Sequence, residues 1–215
     1  MKLPRKKAIV DFLMDNSASL KYDFMKKEKL DAFTDSVIAI IITLMVLEIK
    51  LPAIHTGTIL EVLRHIGIYA MSFVVIGITW LNYHATFKHI EKLTPRIIWL
   101  NMIFLFLLSL VPLPTQALGQ DFLLKNSHVF YASVLTAVSF VFCLLQIESN
   151  QYIRYLSHTE IRFINRKNWI ATILYALAIP LSQISIFLST FVFILMPVLY
   201  FIPSAKLSME EEKQP

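Results

Sequence analysis

Two ionisable residues, Asp35 and Glu48, lie in the long apolar stretches of this sequence, each near one end of its stretch. Catalysis inside a membrane needs several polar groups that converge, such as a metal cluster, a Ser–His pair or a carboxylate dyad. His84 and His89 are five residues apart, which places them on different faces of a helix. The single cysteine, Cys143, excludes a disulfide framework and a cysteine-based zinc site. The sequence therefore argues against an enzyme and predicts no metal and no cofactor.

The histidines as a group also give no sign of a catalytic centre. All six are expected at the ends of the apolar stretches or between them: His55, His65, His84, His89, His128 and His158.

The composition is that of a membrane protein. Hydrophobic residues make up 56% of the 215 residues and charged residues 16%, whereas a soluble domain carries about 45–50% and about 25%. Five apolar stretches follow one another: residues 33–49, 66–83, 97–111, 129–147 and 169–203. The last of them would be about 52 Å long as one helix, against a hydrocarbon core of about 30 Å, and Pro180 with the serines after it predicts a turn. We therefore predict an all-α membrane protein with six transmembrane helices.

The positive charges predict the topology. Of the 20 Lys and Arg residues, all but Lys50, Arg64 and Lys125 fall in the N-terminal arm, the second and fourth connections and the C-terminal tail. By the positive-inside rule, both termini are predicted to be cytoplasmic. The expected organisation is a cytoplasmic arm at 1–28, a membrane domain at 29–203 and a cytoplasmic tail at 204–215, in a bacterial plasma membrane. The net charge of +5 thus reflects topology, and no nucleic-acid partner is predicted.

Two common transport designs have no counterpart in the sequence. A carbonyl-lined potassium filter needs a Gly-rich loop, but the four glycines do not cluster. Many secondary transporters have broken helices at matched positions of two halves, but Pro180 and Pro197 have no such counterparts in the first four stretches. A pore in this protein must therefore be lined by side chains. Because six helices are too few to enclose a pore comfortably, we expect an oligomer.

Four short motifs occur in order along the first half of the chain. K-L-D-A-F-T-D occupies residues 29–35, W-L-N-Y-H residues 80–84, L-N residues 100–101 and P-L-P-T residues 112–115. Together they resemble the R-x-x-x-F-S-D, W-x-x-x-H, L-N and P-F-P-T elements of the transmembrane-protein-175 family, the lysosomal potassium channels and their prokaryotic relatives. Lys29 stands in place of the family's Arg, and Thr34 in place of its Ser. Lys29 keeps the charge but lacks the planar fork of arginine.

The resemblance implies a homotetramer of six-helix subunits around four copies of the first helix. Such a channel passes potassium ions with a modest preference over sodium and has no carbonyl filter. In the family, apolar side chains five, nine and twelve residues after the signature Asp narrow the pore, and a hydroxyl lies eight residues after it. The corresponding constriction residues here are Ile40, Leu44 and Leu47, and the selectivity residue is Thr43.

Helix geometry groups the same four residues. At about 100° per residue, they fall on one face about 100° wide, and Asp35 falls nearly opposite. Asp35 is therefore expected to point into the helix bundle, near other motif residues at the same end of their spans. The predicted structural network consists of Lys29, Phe33, Thr34, Asp35, Trp80, His84 and Asn101.

Each assignment has a structural alternative. A stripe of Ile and Leu also fits helix packing or lipid contact, and a Thr43 hydroxyl often bonds the carbonyl four residues back. Asp35 with Thr34 fits a cap at a helix N-terminus. His84 fits a structural histidine as well as a pH sensor, and Glu48 fits a solvated end residue as well as an acidic ring at a pore mouth.

We therefore expect a potassium-permeable channel whose partners are potassium ions, the lipid bilayer and further copies of itself. A ring of Ile40 side chains would form a hydrophobic gate that opens when it wets. Two alternatives stay open: a proton-coupled or proton-leak transporter that uses Asp35 and His84, and a membrane scaffold that transports nothing. Rapid flux without a coupled gradient distinguishes a channel from both.

Overall fold

The computed structural model describes residues 27–47, 59–88, 90, 92–152 and 158–197, and these residues form seven helices. The N-terminal arm up to residue 26, Glu48, His89 and the tail lie outside the described residues. The helices are α1 Lys27–Leu47, α2 Ile59–Phe87, α3 Pro95–Ser109, α4 Pro112–Gln120, α5 Lys125–Asn150, α6 His158–Ile184 and α7 Ile186–Pro197. The predicted all-α class is confirmed.

Several helices have the length and composition of membrane spans. Four stretches qualify among the described residues: α1, α2, α3 with α4 taken together, and α5. A backbone in hydrocarbon must satisfy its own N–H and C=O groups, and a helix of about 20 apolar residues does this across the full core. α6 begins in a charged segment, and α7 is a shorter apolar helix.

The third span is longer than predicted. The sequence placed its end at Val111, before Pro112, but the chain continues as α4 to Gln120. Pro112 occupies the start of α4, where its missing N–H would have no helical partner in any case. Leu110 and Val111 link the two helices through backbone bonds of 3.1 Å to Leu107 and Leu108. The proline therefore interrupts the span without ending it.

The turn in the last apolar stretch lies at Ser185, five residues beyond Pro180 and among the serines that, together with Pro180, predicted it. Pro180 is inside α6, and the helix breaks at Ser185. The Ser182 hydroxyl donates to the Ile179 carbonyl at 2.7 Å and so forms a hydrogen bond within its own helix. α7 then returns alongside α5, because Ser189 contacts His128 and Phe193 packs on Tyr131 one turn further.

Aromatic side chains fill the centre of the bundle between α2, α3 and α5. Tyr83 stacks against Phe87 with 4.1 Å between ring centroids and lies 6.0 Å from Phe104. Phe104 lies 5.4 Å from Phe142. All four side chains are buried. α1 packs against α2, α3 and α4 on one side of this core, and α6 packs against α5 on the other.

The two ends of the bundle differ in charge. We call the end at which α1 begins and α2 ends the basic end. The Lys and Arg residues of the described segments that lie toward it are Lys27, Lys29, Lys88, Lys92, Arg96, Arg162, Arg166 and Lys167. Those toward the opposite end are Arg64 and Lys125.

At each end of the bundle, a lysine donates to one carbonyl at or just beyond the C-terminus of a helix. Lys27 Nζ donates to the Lys88 carbonyl at 3.0 Å, beyond the end of α2, and Lys125 Nζ donates to the Gln183 carbonyl at 2.6 Å, in the last turn of α6. A cation is favoured there by the helix dipole.

Candidate functional site

One face of α1 is packed into the subunit and the other is exposed. The packed face carries Leu30, Thr34, Ile38, Ile41 and Met45, all buried. These positions repeat at intervals of three and four residues, as one helix face requires. The first helix therefore attaches to the bundle along a single stripe.

The predicted constriction residues lie together on the exposed face. Ile40 is 56% exposed, Leu44 49% and Leu47 79%, and Thr43 is also exposed between them. No charged residue occurs from Ser36 to Leu47. The subunit thus presents an uncharged stripe of large apolar side chains with two hydroxyls, Ser36 and Thr43, along it.

Both hydroxyls of this stripe bond to their own helix. Thr43 Oγ1 donates to the Ile40 carbonyl at 2.8 Å, three residues back, and Ser36 Oγ donates to the Ala32 carbonyl at 2.7 Å. Each hydroxyl proton is therefore occupied, while the oxygen keeps lone pairs that can accept. An oxygen in this state can contact a cation without competing for its own hydrogen.

A hydrogen-bonded chain joins the opposite face of α1 to α2 and α3. Asn101 Nδ2 on α3 donates to Thr34 Oγ1 at 3.0 Å, and Thr34 Oγ1 lies 3.2 Å from the Tyr83 hydroxyl on α2. Tyr83 in turn donates to Asp31 at 3.5 Å, the outer limit for such a bond. Thr34, Tyr83 and Asn101 are fully buried. Three helices are therefore fixed at this level by polar contacts.

Asp35 makes a second connection between α1 and α2. Its Oδ1 accepts a hydrogen bond of 2.7 Å from the indole Nε1 of Trp80. The Trp80 ring stacks on His84 with 5.7 Å between centroids and 27° between planes. The carboxylate is thus held by α2 and does not lie on the exposed stripe, as helix geometry predicted.

The other predicted network residues are placed differently. Asn101 binds Thr34 instead of Asp35, and His84 reaches Asp35 only through Trp80. Lys29 and Phe33 lie on the exposed face of α1. Within the segments that the structure describes, Lys29 forms no hydrogen bond or ion pair. The subunit therefore assembles Thr34, Asp35, Trp80, His84 and Asn101 and leaves Lys29 and Phe33 outside that group.

Two members of the network escaped the sequence analysis. Tyr83 lies within the W-L-N-Y-H segment, three residues after Trp80, so helix periodicity places both near α1. Asp31 is four residues before Asp35, and this spacing puts the two carboxylates on the same side of α1. The spacing of Tyr83 from Trp80 and of Asp31 from Asp35 could therefore have predicted both residues as members of the network.

His128 is another polar residue that sequence reasoning missed. It was expected at the end of a span and lies in the first turn of α5, where it is fully buried. Its Nε2 lies 2.8 Å from the Phe122 carbonyl and its Nδ1 2.9 Å from Ser189 Oγ. Because a carbonyl only accepts, Nε2 carries the hydrogen there. The side chain joins α5 to α7, and a partner 61 residues away in sequence leaves no local signal.

Among the residues that the structure describes, no three His, Cys, Asp or Glu side chains come together. The arrangement instead offers an uncharged exposed stripe on α1 and a polar anchor behind it.

Comparison with known proteins places these features in one family. A family model described as the endosomal/lysosomal potassium channel TMEM175 matches residues 29–112. A potassium channel of Chryseobacterium sp. (strain P1-3) is 30% identical over 190 residues, which cover 85% of this chain and 96% of the relative. The crystal structure of a lysosomal potassium-selective channel TMEM175 homolog from Chamaesiphon minutus aligns with a TM-score of 0.74 at 26% identity, over 83% of this chain and 97% of that chain.

A vertebrate protein matches over a shorter region. The endosomal/lysosomal proton channel TMEM175 of Gallus gallus is 31% identical over 127 residues. The match covers 53% of this chain and 25% of the chicken protein.

Proposed function

The chain belongs to the TMEM175 family, and from that membership we propose that it is a subunit of a potassium-permeable channel whose pore is lined by α1. The observation that carries this proposal is the arrangement of α1. Its packed face is bonded to α2 and α3, while Ile40, Thr43 and Leu44 stand exposed on the other face. The potassium channel of Chryseobacterium and the Chamaesiphon structure support potassium as the ion.

The pore is shared between copies of the chain. The stripe lies on the outside of the subunit, so it can enclose a pathway only when other copies supply the remaining walls. We propose a homotetramer in which four α1 helices surround the axis. Since the carbonyls in the body of an α-helix are bonded within the helix, the side chains of α1 line the pathway and we propose no carbonyl filter.

A ring of Ile40 side chains forms the gate in this proposal. Leu44 and Leu47 continue the apolar lining for about 10.5 Å beyond Ile40, at 1.5 Å per residue. A narrow ring of this kind expels water, so a hydrated cation passes only when the ring widens. The gate therefore needs no charged residue in the pore.

Selectivity arises at Thr43. The Thr43 hydroxyl already donates to the Ile40 carbonyl, so its oxygen faces a passing ion as an acceptor. A potassium ion loses water at a lower energetic cost than the smaller sodium ion does. A ring of weak oxygen ligands next to an apolar constriction therefore favours potassium modestly.

We further propose that the basic end faces the cytoplasm of a bacterium. The described Lys and Arg residues lie predominantly toward this end, which supports the orientation under the positive-inside rule. In this arrangement the arm at 1–28 and the tail at 204–215 are both cytoplasmic, and α6 and α7 supply the fifth and sixth spans of the membrane domain at 29–203.

A proton pathway is the second candidate, because the chicken relative is named a proton channel. Asp35 and His84 are the titratable groups that the sequence suggested for it. The indole of Trp80 separates them, however, and an indole N–H donates a hydrogen bond without relaying a proton. Transfer between them would require water or a rearranged Trp80, so we favour ion permeation along the exposed stripe.

Flux into liposomes tests the proposal. Purified protein should pass potassium rapidly and without a coupled gradient, with sodium slower, and Ile40→Asn should raise the flux by hydrating the ring. Val46→Asn is the matched control, because Val46 is 47% exposed but lies about 120° away from Ile40 around the helix. This control should leave the flux unchanged.

Three outcomes would contradict parts of the proposal. An unchanged flux in folded Ile40→Asn would remove Ile40 from the gate. Acidification of the lumen without potassium flux would favour the proton pathway. No flux of either ion from folded, inserted protein would favour a scaffold.

A further inference from the structure

A cavity of about 40 Å³ lies between α2, α5, α6 and α7, away from the exposed face of α1. Its polar lining comes from three helices: Thr79 and Asn82 on α2, Ser139 on α5, and Asn168 and Tyr175 on α6. Met196 on α7 contributes to the apolar part of the wall. None of the lining residues carries a charge.

The cavity lies on the side of α2 that faces away from α1. Trp80 points toward Asp35, and Asn82 is two residues later, about 200° around the helix. The cavity is therefore separated by the body of α2 from the network that anchors α1. It belongs neither to the exposed stripe nor to that network.

Within the described part of the chain, two polar side chains of the lining lack a hydrogen-bond partner. They are the Asn82 amide and the Ser139 hydroxyl. Thr79, in contrast, donates to the Val75 carbonyl at 2.8 Å, and Asn168 donates to Gln146. Both side chains are half-buried, and within a membrane protein such an amide and hydroxyl are stabilised by a hydrogen-bonding molecule in the cavity.

We propose that this cavity is a binding site for water and for other small, uncharged molecules that donate and accept hydrogen bonds. About three waters fit, since one water needs about 10–15 Å³ of such space. The Asn82 amide supplies two donors and an acceptor and the Ser139 hydroxyl one donor and an acceptor. The lining offers no charged ligand that would favour an ion, and the unpartnered amide favours an occupant that forms hydrogen bonds over a purely apolar one.

Hydration of the cavity can be measured by thiol chemistry in the full-length protein. Only a thiolate reacts rapidly with a methanethiosulfonate reagent, and a thiolate forms where water is present. Ser139→Cys places a thiol in the cavity, in a Cys143→Ser background that keeps a hydroxyl at the position bonded to Thr172. The probe is methyl methanethiosulfonate, which is small and uncharged, and mass spectrometry gives the labelling rate.

Two reference positions, one on α5 and one just after it, calibrate the rate of thiol labelling. Ser133 is exposed on the surface of α5 at membrane depth, and Gln151 is exposed at the basic end just after α5. Ser139→Cys should label about a hundredfold faster than Ser133→Cys, because an apolar environment without water suppresses the thiolate. It should approach the rate of Gln151→Cys. Adding Ala171→Leu, which fills the cavity from α6, should slow the labelling of Ser139→Cys and leave that of Gln151→Cys unchanged.

Equal labelling rates for Ser139→Cys and Ser133→Cys would show a dry cavity and overturn the proposal. If the Ser139 variant does not fold, Thr79→Cys reports from the α2 wall, with the exposed Val74→Cys as its control. Equal rates for that pair would overturn the proposal as well. Because no ion flux is measured, the result is independent of the proposed channel function.

Discussion

At the scale of single residues, the buried face of α1 is specified by polar contacts that its sequence only partly revealed. The opposition of Asp35 to the Ile40 stripe followed from helix geometry, and the structure places Trp80 on that carboxylate. The pairing of residues did not follow from helix geometry. Asn101, which was expected beside Asp35, binds Thr34 instead. Periodicity gives the face of a helix, but the pairing depends on how three helices are aligned along their axes.

Thr34 is the central residue of the hydrogen-bonded chain, so its hydroxyl should contribute to stability. Thr34→Val keeps the shape but leaves Tyr83 and Asn101 short of a partner, at a cost of about 1–3 kcal/mol. The midpoint of thermal unfolding in detergent should fall accordingly. Thr34→Ser retains the hydroxyl and is the control, which should unfold close to the native temperature. An unchanged midpoint for Thr34→Val would show that the buried chain adds no net stability.

Thr43 should determine how strongly the channel prefers potassium. Thr43→Ala removes the oxygen while leaving the apolar stripe intact, and a loss of about 1 kcal/mol of preference corresponds to about a fivefold lower potassium-to-sodium ratio. The ratio is measured from initial uptake rates in liposomes. Thr43→Ser restores an oxygen and should recover most of the preference. An Ala variant with the native ratio would assign selectivity to another part of the pore.

At the scale of helices, the apolar stretches predicted the elements but not the points at which they break. Two prolines illustrate this. Pro112 begins a helix, where its missing N–H has no consequence, and Pro180 lies within one. A proline in sequence marks a lost hydrogen bond, and whether the chain turns there depends on tertiary contacts. The return of α7 is stabilised by His128 with Ser189, a pairing that no local pattern predicts.

The position of the last turn gives a test of its own. If Pro180 lies inside α6, Pro180→Ala restores a helical N–H and should leave stability unchanged or raise it by up to about 1 kcal/mol. Thermal unfolding of the purified variant measures this. Ser182→Ala in the same helix should instead lower the midpoint, because the Ile179 carbonyl loses its hydroxyl partner. A clear loss of stability in Pro180→Ala would indicate that the proline is needed for the turn.

At the scale of the whole molecule, the proposed assembly would account for the exposed stripe of α1. The sequence predicted an oligomer because a pore between side chains needs walls that six helices do not provide. The sequence could not provide the number of copies, because an apolar stripe indicates only that one face of α1 is not packed against the rest of the chain. The resemblance to a tetrameric family supplied that number.

Cross-linking tests whether the α1 helices of different copies face one another. Leu47 is 79% exposed, so Leu47→Cys in the Cys143→Ser background should form disulfides between copies when the protein is oxidised in membranes. Disulfides require Cβ atoms about 3.5–4.5 Å apart, a separation that a closed ring can reach. Leu81→Cys, 59% exposed on α2, serves as the control and should remain monomeric on gels. Cross-linking at residue 81 alone would place a different face at the subunit contact.

The distribution of hydrogen bonds along α1 has a mechanical consequence. In the described residues, every side-chain bond from α1 to another helix or its flanking turn involves Lys27, Asp31, Thr34 or Asp35. The remainder of the helix makes apolar contacts, which permit sliding. α1 is therefore fixed near the basic end and can tilt along the rest of its length. Ile40 stands about 7.5 Å and Leu47 about 18 Å beyond Asp35. A tilt of α1 about Asp35 that shifts Ile40 by about 1 Å therefore shifts Leu47 by more than twice as much. The end of α1 that lies farthest from these hydrogen bonds moves the most.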